Sequence, residues 1–180
     1  NNGNHYLLMR YSHVLEEAKG YRVKDSSRSS YSGSPARVMF RYKYQHKNLL
    51  QYGLTITKDA GEPLFNRTTG FGFYSFHFFA RNIGIVKAIA LGDYTINMGQ
   101  GLIHWQGLAF GKGAAVMNIK RQAPPLRPYN SSGAFYFQRG AAITVEKNNW
   151  QATAFFSLRK LDAKINPDPV NGENFISSIH

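Results

Sequence analysis

Alternation of apolar and polar residues is the clearest pattern in this chain. From Ala36 to Tyr44 every second residue is apolar or aromatic, and the residues between them are mostly polar or basic. After a polar turn at 46–48 the alternation resumes from Leu50 to Thr57. A two-residue period is that of a β-strand with one apolar face, so these two runs predict an antiparallel hairpin.

The same alternation predicts further strands. The segment at 5–18 fits either a helix ending at Gly20 or a strand, and the hairpins that follow it favour a strand. FISSIH, at 175–180, is expected to begin another strand, which brings the total to about seven or eight. Two more hairpins are predicted, with strands at 71–81 and 85–98 joined by a turn at 82–84, and strands at 135–146 and 150–158 joined by a turn at 147–149.

Long polar connections separate the hairpins, whereas the turns inside them are short. Strands of about ten residues with short turns at one end and long loops at the other are typical of outer-membrane barrels. A soluble β-sandwich or lipocalin-like barrel also alternates, but long loops confined to one side favour the membrane form. The sequence therefore predicts an all-β fold, an antiparallel transmembrane β-barrel. The long loops are expected near 19–35, 58–70, 99–134 and 162–174.

The predicted strand number indicates an incomplete barrel. Bacterial single-chain barrels have an even number of strands, and a sheet left open in lipid would expose unpaired backbone groups. Residues 1–180 are therefore interpreted as one partial outer-membrane β-barrel domain, a portion of a longer polypeptide and of a larger barrel. The missing strands are expected from elsewhere in that polypeptide or from a partner protein.

Composition adds a strong positive charge to this picture. The 180 residues include 22 Lys+Arg against 10 Asp+Glu, which gives a net charge of +12. In a soluble protein this charge would indicate nucleic acid or an anionic surface as a partner. No window approaches the ~18–20 apolar residues of a membrane helix, so passage through a membrane is expected in strands. Aromatic residues near the ends of the apolar faces match the interfacial girdles of barrels.

Several basic residues fall on strand faces that are expected to point into the barrel. Their simplest role is as solvated interior charges paired with acids, and the alternative is a positive lumen that favours anionic solutes or nucleic acid. Interior placement also agrees with a basic membrane protein, because a lipid-facing Arg or Lys costs ~2–4 kcal/mol at the midplane. The interior basic candidates are Arg37, Arg41, Lys43, Arg81, Lys87 and Arg159.

The stretch from Gly92 to Gly113 is too apolar for a free loop and too rich in glycine for a helix. Its residues 107–113 are one short of the phosphate-loop spacing, and Gly113 stands where the magnesium-binding Ser or Thr belongs. A loop folded into the barrel interior is favoured instead, because glycines allow close packing. The residues expected to form a constriction or plug there are Trp105, Phe110 and Lys112.

No motif identifies a catalytic residue, a metal site or a cofactor site. The six histidines are scattered and lack the spacing of metal ligands. The sequence contains no GxSxG nucleophile motif and no cysteine, which removes thiolate chemistry and disulfides. We therefore expect neither enzymatic activity nor a cofactor.

Six segments occur in a fixed order along the chain: KDAGEP at 58–63, GFGFYSFHFF at 70–79, LGDYTINMGQGL at 91–102, WQGLAFGKGA at 105–114, RGAA at 139–142 and FFSLRKLDAKI at 155–165. Together they are similar to the barrel region of Bacteroidota outer-membrane proteins that contain helix-hairpin-helix domains. The resemblance spans residues 5–165 and implies a fragment from the early part of such a barrel, with no catalytic residues.

These expectations combine into a function. The chain is expected to be an outer-membrane barrel component with a channel, transport or assembly role. Its expected partners are outer-membrane lipid, lipopolysaccharide and other membrane-complex subunits. Two alternatives stay open: a membrane protein that handles or takes up nucleic acid through the basic interior, and a soluble β-barrel that binds a small ligand.

Overall fold

Nearly all of the regular structure in this chain is β-strand. The computed structural model describes residues 3–22, 31, 33–66, 70–99, 101, 103–104, 123–133, 136–160, 163–167 and 174–179. Within these ranges a four-residue helix, α1 (Lys19–Arg22), lies in the first long connection. The strands, in chain order, are β1 (Asn4–Ser12), β2 (Arg37–His46), β3 (Leu50–Lys58), β4 (Phe65–Asn66), β5 (Gly70–Phe71), β6 (Phe73–Ile83), β7 (Val86–Ile96), β8 (Leu126–Pro128), β9 (Gln138–Lys147), β10 (Trp150–Ser157), β11 (Ala163–Pro167) and β12 (Asn174–Ile179).

The main element is an antiparallel sheet of eight strands. Seven of them form a meander in the order β1-β2-β3-β6-β7-β9-β10, and β8 pairs with β7 beside that path. The pairs β4-β5 and β11-β12 form separate two-stranded sheets. The predicted all-β antiparallel fold is therefore confirmed. Over the residues that the structure describes, the main sheet is open, with β1 and β10 at its edges.

Short turns join strands at one end of the main sheet and long connections join them at the other. The turns β2–β3, β6–β7 and β9–β10 span residues 47–49, 84–85 and 148–149. Each turn contains a residue with positive φ, namely Lys47 at 48°, Gly84 at 59° and Asn148 at 53°. Gly and Asn adopt this conformation most readily, so the local sequence suits two of the three turns. These two ends are named the short-turn end and the long-loop end.

The register of the strands divides the sheet into two faces, because directly paired residues project to the same side. One side carries polar and basic groups and is named the polar face. The other carries aliphatic and aromatic groups and is named the apolar face. One paired row of the polar face is Tyr6, Lys43, Gly53, His77, Gly92, Gly140 and Ser157. The adjacent row of the apolar face is His5, Tyr44, Tyr52, Phe78, Leu91, Ala141 and Phe156.

The strands are staggered along the sheet. His5 lies near the short-turn end of β1, whereas Phe156, in the same paired row, lies near the long-loop end of β10. Paired positions thus drift along the strand direction from one edge of the sheet to the other. Strands that tilt relative to a barrel axis show this stagger, which sheet closure requires.

The buried core lies on the polar face, around β6, β7 and β9. Phe79 and Ala90 pair directly, and both are almost wholly buried. Tyr94 is completely buried, and its hydroxyl donates to the backbone carbonyl of Phe156 at 2.8 Å. Small alanines make room here for large aromatic rings, as close packing requires. The core cluster is Phe79, Ala88, Ala90, Tyr94, Ile96, Leu126 and Ala142.

Some segments that the sequence placed in loops contain short strands. The long loop near 162–174 contains β11, and residues 175–179 of FISSIH lie in β12, which pairs with β11 and not with the main sheet. The loop near 99–134 contains β8, and the loop near 58–70 contains β4 and β5. Strands of two to five residues are too short to give a clear period, and proline conceals those that contain it.

Candidate functional site

The apolar face is exposed although its residues are large and hydrophobic. Leu7 is 64% exposed, Phe76 is 49% exposed and Phe156 is 66% exposed. Soluble monomers rarely expose contiguous apolar patches larger than a few hundred Å². This face is therefore a candidate surface for contact with an apolar phase or partner. Other large side chains exposed on the same face are Met9, Tyr11, Tyr74, Leu91, Ile143 and Trp150.

Aromatic rings gather on the apolar face toward the short-turn end. The rings of Tyr44 and Tyr52 stack with centroids 4.9 Å apart, and His5 lies 4.8 Å from Tyr44. The ring Nδ1 of His5 also hydrogen-bonds the hydroxyl of Tyr42 at 2.9 Å. At the other end of the face Tyr11 and Tyr74 are exposed. Rings with one apolar and one polar side favour such positions at the boundary between an apolar phase and water.

Part of the polar face is covered by a segment of the long connection between β7 and β9. This returning segment, Ala123–Gly133, contains β8, which pairs with Tyr94–Ile96 on β7. The backbone N–H of Tyr129 donates to the carbonyl of Asp93 at 3.1 Å, and the ring of His77 hydrogen-bonds the backbone of Tyr129. Ser132 lines a cavity together with residues of β1, β2 and β3. The returning segment thus lies across the polar face and not across the apolar face.

His77 occupies the middle of the polar face. It is 2% exposed, and its Nε2 lies 3.2 Å from the side-chain nitrogen of Gln51. The residue paired with it on β3 is Gly53, where an added Cβ would approach Cε1 of His77 to 2.7 Å. Glycine at position 53 therefore provides the space that the imidazole occupies. This ring is held by packing and hydrogen bonds, and the structure gives it no partner typical of a catalytic dyad among the described residues.

The structure places most of the predicted basic residues on or beside the polar face. Arg37, Arg41 and Lys43 alternate along β2, and Lys43 lies 5.7 Å above the ring of Tyr6. Arg81 packs on Phe79 and donates to Oδ1 of Asn48 at 2.6 Å, near the short-turn end. Arg37, Arg41, Lys43 and Arg81 share the polar face by register.

Arg159 follows β10 at the long-loop end. Its guanidinium lies 4.6 Å above the ring of Phe137, and its Nη1 donates to the carbonyl of Phe137 at 3.3 Å. Phe137 in turn stacks on Tyr129 at 4.7 Å. Arg159 is thus connected through one ring to the returning segment.

Lys87 departs from this group. It lies beside Ala88, and Ala88 is the residue that pairs with Arg81 and faces the core. Lys87 sits at a register shift between β7 and β9, where it forms an ion pair with Glu146 at the short-turn end. Ala88 and Ala90 on β7 lie in the covered core, where small side chains pack beneath Phe79.

Two polar atoms on the polar face are buried without a hydrogen-bond partner, namely Arg41 Nε and Ser75 Oγ. Both lie in one paired row, because Arg41 pairs with Thr55 and Thr55 pairs with Ser75. Beside this row, toward the long-loop end, is a cavity of about 200 Å³. Unpaired buried donors are rare in folded proteins, so this row is a candidate for contact with a further group. The lining residues are Arg10, Ser12, Arg37, Val38, Met39, Thr57, Lys58, Asp59 and Ser132.

The sequence did not predict the contacts of two buried or partly buried charged groups. Arg139 forms a bidentate pair with Asp93, through Nε to Oδ1 at 2.7 Å and Nη2 to Oδ2 at 2.9 Å. The ammonium group of Lys58 is buried and donates to the carbonyls of Ser34, Ala36 and Asp59. Neither contact has a local sequence signal, since the partners of Arg139 and two of those of Lys58 are distant in the chain.

The predicted constriction residues Trp105, Phe110 and Lys112 lie outside the described residues. Across the ranges that the structure covers, no group of three or more His, Cys, Asp or Glu side chains is arranged to hold a metal ion. None of the described helices is long and apolar enough to cross a membrane. The candidate functional site is therefore the pair of faces itself, with the cavity and the unpaired row on the polar face.

Comparison of the chain with protein-family models, with curated proteins and with solved structures gave no match.

Proposed function

We propose that this chain forms part of the wall of a β-barrel in the outer membrane of a Bacteroidota bacterium, with a transport role. The observation that carries the proposal is the inverted distribution of polarity across the sheet. From β3 to β9 the polar face is largely buried and contains the core, whereas Leu7, Phe76 and Phe156 on the apolar face are exposed. A soluble protein buries its apolar face, while a barrel in lipid exposes it and keeps polar groups inside.

Three further features support a membrane setting. Strands of eight to eleven residues in the meander suit a tilted passage through the hydrocarbon layer. The tyrosines at the two ends of the apolar face lie where interfacial girdles occur in barrels. The paired rows are staggered along the strands, as closure of a sheet into a barrel with further strands would require. The ordered motifs similar to Bacteroidota outer-membrane proteins agree with the same setting.

A transport role is supported by the charge of the polar face. Arg37, Arg41 and Lys43 follow one another along β2 on this face, and Arg81 extends the group on β6. Rings or stripes of basic side chains that line a pore favour anions over cations. The returning segment lies over the same face and would narrow such a path. We therefore expect passage of anionic solutes.

Conductance of the full-length protein in planar bilayers tests this role. We expect an anion-selective conductance, and we expect selectivity to fall toward unity when Arg37, Arg41 and Lys43 are all changed to Gln. A matched control replaces Lys47, Lys87 and Lys147 by Gln, which removes the same charge from exposed positions at the short-turn end. This control should retain most of the anion preference. A barrel that inserts without conducting would contradict the transport role and leave an assembly role for the exposed apolar face.

A further inference from the structure

We propose that the polar face contains a discrete binding site for a phosphate-type oxyanion, in the cavity between β1–β3 and the returning segment. Arg10 and Arg37 are its charged ligands, and Arg41 adds positive charge in the neighbouring row. The inference deepens the proposed function, because it names the class of solute or headgroup that the basic face recognises. The site itself is a property of the sheet and can be measured apart from conductance.

The cavity is large enough for a small ligand and is open to solvent on one side. Its volume is about 200 Å³, which exceeds the ~30 Å³ that one water takes up in the liquid. Arg10 and Arg37 approach it from adjacent strands, and Ser132 approaches it from the returning segment. Hydroxyl groups of Ser12 and Thr57 also belong to its lining. Guanidinium and hydroxyl donors that converge from several elements are the groups that bind tetrahedral oxyanions.

The charge of the cavity is not neutralised from within. Asp59 is the only acidic residue among its lining residues, and its Oδ1 lies 3.9 Å from Nε of Arg37. Both side chains of this pair are well exposed, so the pair is weak and can open toward a ligand. Lys58 does not serve as a ligand, because its ammonium already donates to carbonyls in the loops. Arg10 and Arg37 therefore leave a net positive charge for an anion.

The unpaired row provides an independent observation. Arg41 Nε and Ser75 Oγ are buried and lack partners, and their row is the next one after Met39 and Thr57, which line the cavity. Successive residues on one face of a strand are about 7 Å apart, so Arg41 lies about that far along β2 from Met39. Its guanidinium adds positive charge beside the cavity, which favours an anion there.

The lining also indicates what part of a ligand is recognised. None of the described residues that line the cavity is aromatic, so it offers no ring on which a nucleobase would stack. Recognition is therefore directed at the anionic group. This chemistry occurs both in free phosphate-bearing solutes and in the headgroups of anionic lipids, and the experiment distinguishes these two sources.

Two methionines make the site measurable by nuclear magnetic resonance. Met39 lines the cavity, whereas Met9 is 72% exposed on the apolar face. The full chain is labelled with ¹³C at the methionine methyl groups, held in maltoside micelles that contain no phosphate, and titrated with inorganic phosphate at constant chloride. The change Met39→Leu assigns the resonance. We expect a saturable shift at Met39 and none at Met9.

Paired variants show whether the arginines hold the anion. Changing Arg10 and Arg37 together to Gln should weaken the affinity measured at Met39 by at least about tenfold, since charge-assisted hydrogen bonds to an anion are lost. Changing Lys87 and Lys147 to Gln removes the same charge elsewhere and should leave the affinity within about twofold, because exposed distant charges are screened. An unchanged Met9 resonance in each variant shows that the sheet is intact.

A second titration uses an anionic phospholipid mixed into the micelles. If the Met39 shift saturates with inorganic phosphate, the ligand of the site is a free phosphate-bearing solute. If it saturates only with the anionic phospholipid, the ligand is a lipid headgroup. The proposal is overturned if Met39 shows no saturable shift in either titration, or if the double arginine variant binds as tightly as the unchanged chain. A non-conducting barrel with a saturable Met39 shift would contradict the transport role and leave the oxyanion site standing.

Discussion

At the scale of single residues, the pair of Asp93 and Arg139 is the strongest polar contact in the described structure. Asp93 is 1% exposed, and the guanidinium of Arg139 donates a hydrogen bond to each of its carboxylate oxygens. A further N–H of Arg139 donates to the carbonyl of Tyr74 at 2.7 Å. One side chain on β9 thereby connects β7 and β6, where the pairing of those two strands ends. The buried carboxylate depends on this partner, because an uncompensated buried charge is costly.

The change Arg139→Gln should therefore destabilise the fold strongly. We expect a loss of about 3 kcal/mol in the free energy of unfolding, since the variant leaves Asp93 buried and unpaired. Urea-induced unfolding in detergent micelles measures this loss. The matched control is Lys87→Gln, whose pair with Glu146 is exposed, and its cost should stay below about 1 kcal/mol. Equal costs for the two variants would contradict the structural role given to Arg139.

The added change Asp93→Asn in the Arg139→Gln background should restore part of that stability. A neutral amide at position 93 removes the buried charge, so the double variant should unfold at higher urea than Arg139→Gln alone.

Single residues were the part of the structure that the sequence predicted least well. Alternation correctly grouped Arg37, Arg41 and Lys43 on one side of β2. It could not predict the contact between Asp93 and Arg139, because that contact depends on the register of strands 46 residues apart. Alternation also put Lys87 in the basic group, and in the structure it lies beside the core residue Ala88 and forms an exposed ion pair with Glu146.

At the scale of elements, β7 changes its neighbour along its length. Its last pair with β6 is Gly92 with His77, and beyond this point β8 takes the position beside β7. Gly92 has a φ of 85°, and a Cβ there would lie 2.3 Å from the carbonyl oxygen of Phe76. Glycine is needed for both reasons, the backbone conformation and the close approach. The exchange of β6 for β8 at Gly92 brings the returning segment beside β7 and onto the polar face.

The change Gly92→Ala should be much more costly than Gly99→Ala. Both glycines have positive φ, but a Cβ at Gly99 would meet nothing within 4 Å. The shared backbone strain costs about 1 kcal/mol, and the clash with a backbone carbonyl should add at least about 2 kcal/mol at Gly92. Thermal unfolding in micelles compares the two variants. If they unfold at the same temperature, the close approach at Gly92 is not needed for the fold.

Elements were predicted well where they are long and poorly where they are short. The three hairpins of the main sheet follow from alternation, because each strand has one apolar and one polar side over eight or more residues. β8 and β11 are short and contain or adjoin proline, so a proline-rich stretch indicated a loop. Their partners are determined by tertiary contacts that no local pattern encodes.

At the scale of the whole molecule, the two faces are arranged opposite to those of a soluble sheet. Exposed large apolar side chains are concentrated on the apolar face, and Arg37, Arg41, Lys43 and Arg81 share their face with the core. The sequence predicted both faces of β2, β3 and β10 through their period. It did not predict that the returning segment would supply the cover of the polar face, since that cover depends on β8 pairing with β7.

The contact of the apolar face with lipid is the central claim, and spin-label accessibility along β2 tests it most directly. The chain contains no cysteine, so single cysteines at positions 38 to 43 can each carry one nitroxide. In lipid vesicles, positions 38, 40 and 42 should collide with oxygen dissolved in the lipid, and positions 39, 41 and 43 should not. A water-soluble nickel chelate should show no preference for the even positions. High nickel accessibility at 38, 40 and 42 would place the apolar face in water and contradict the account.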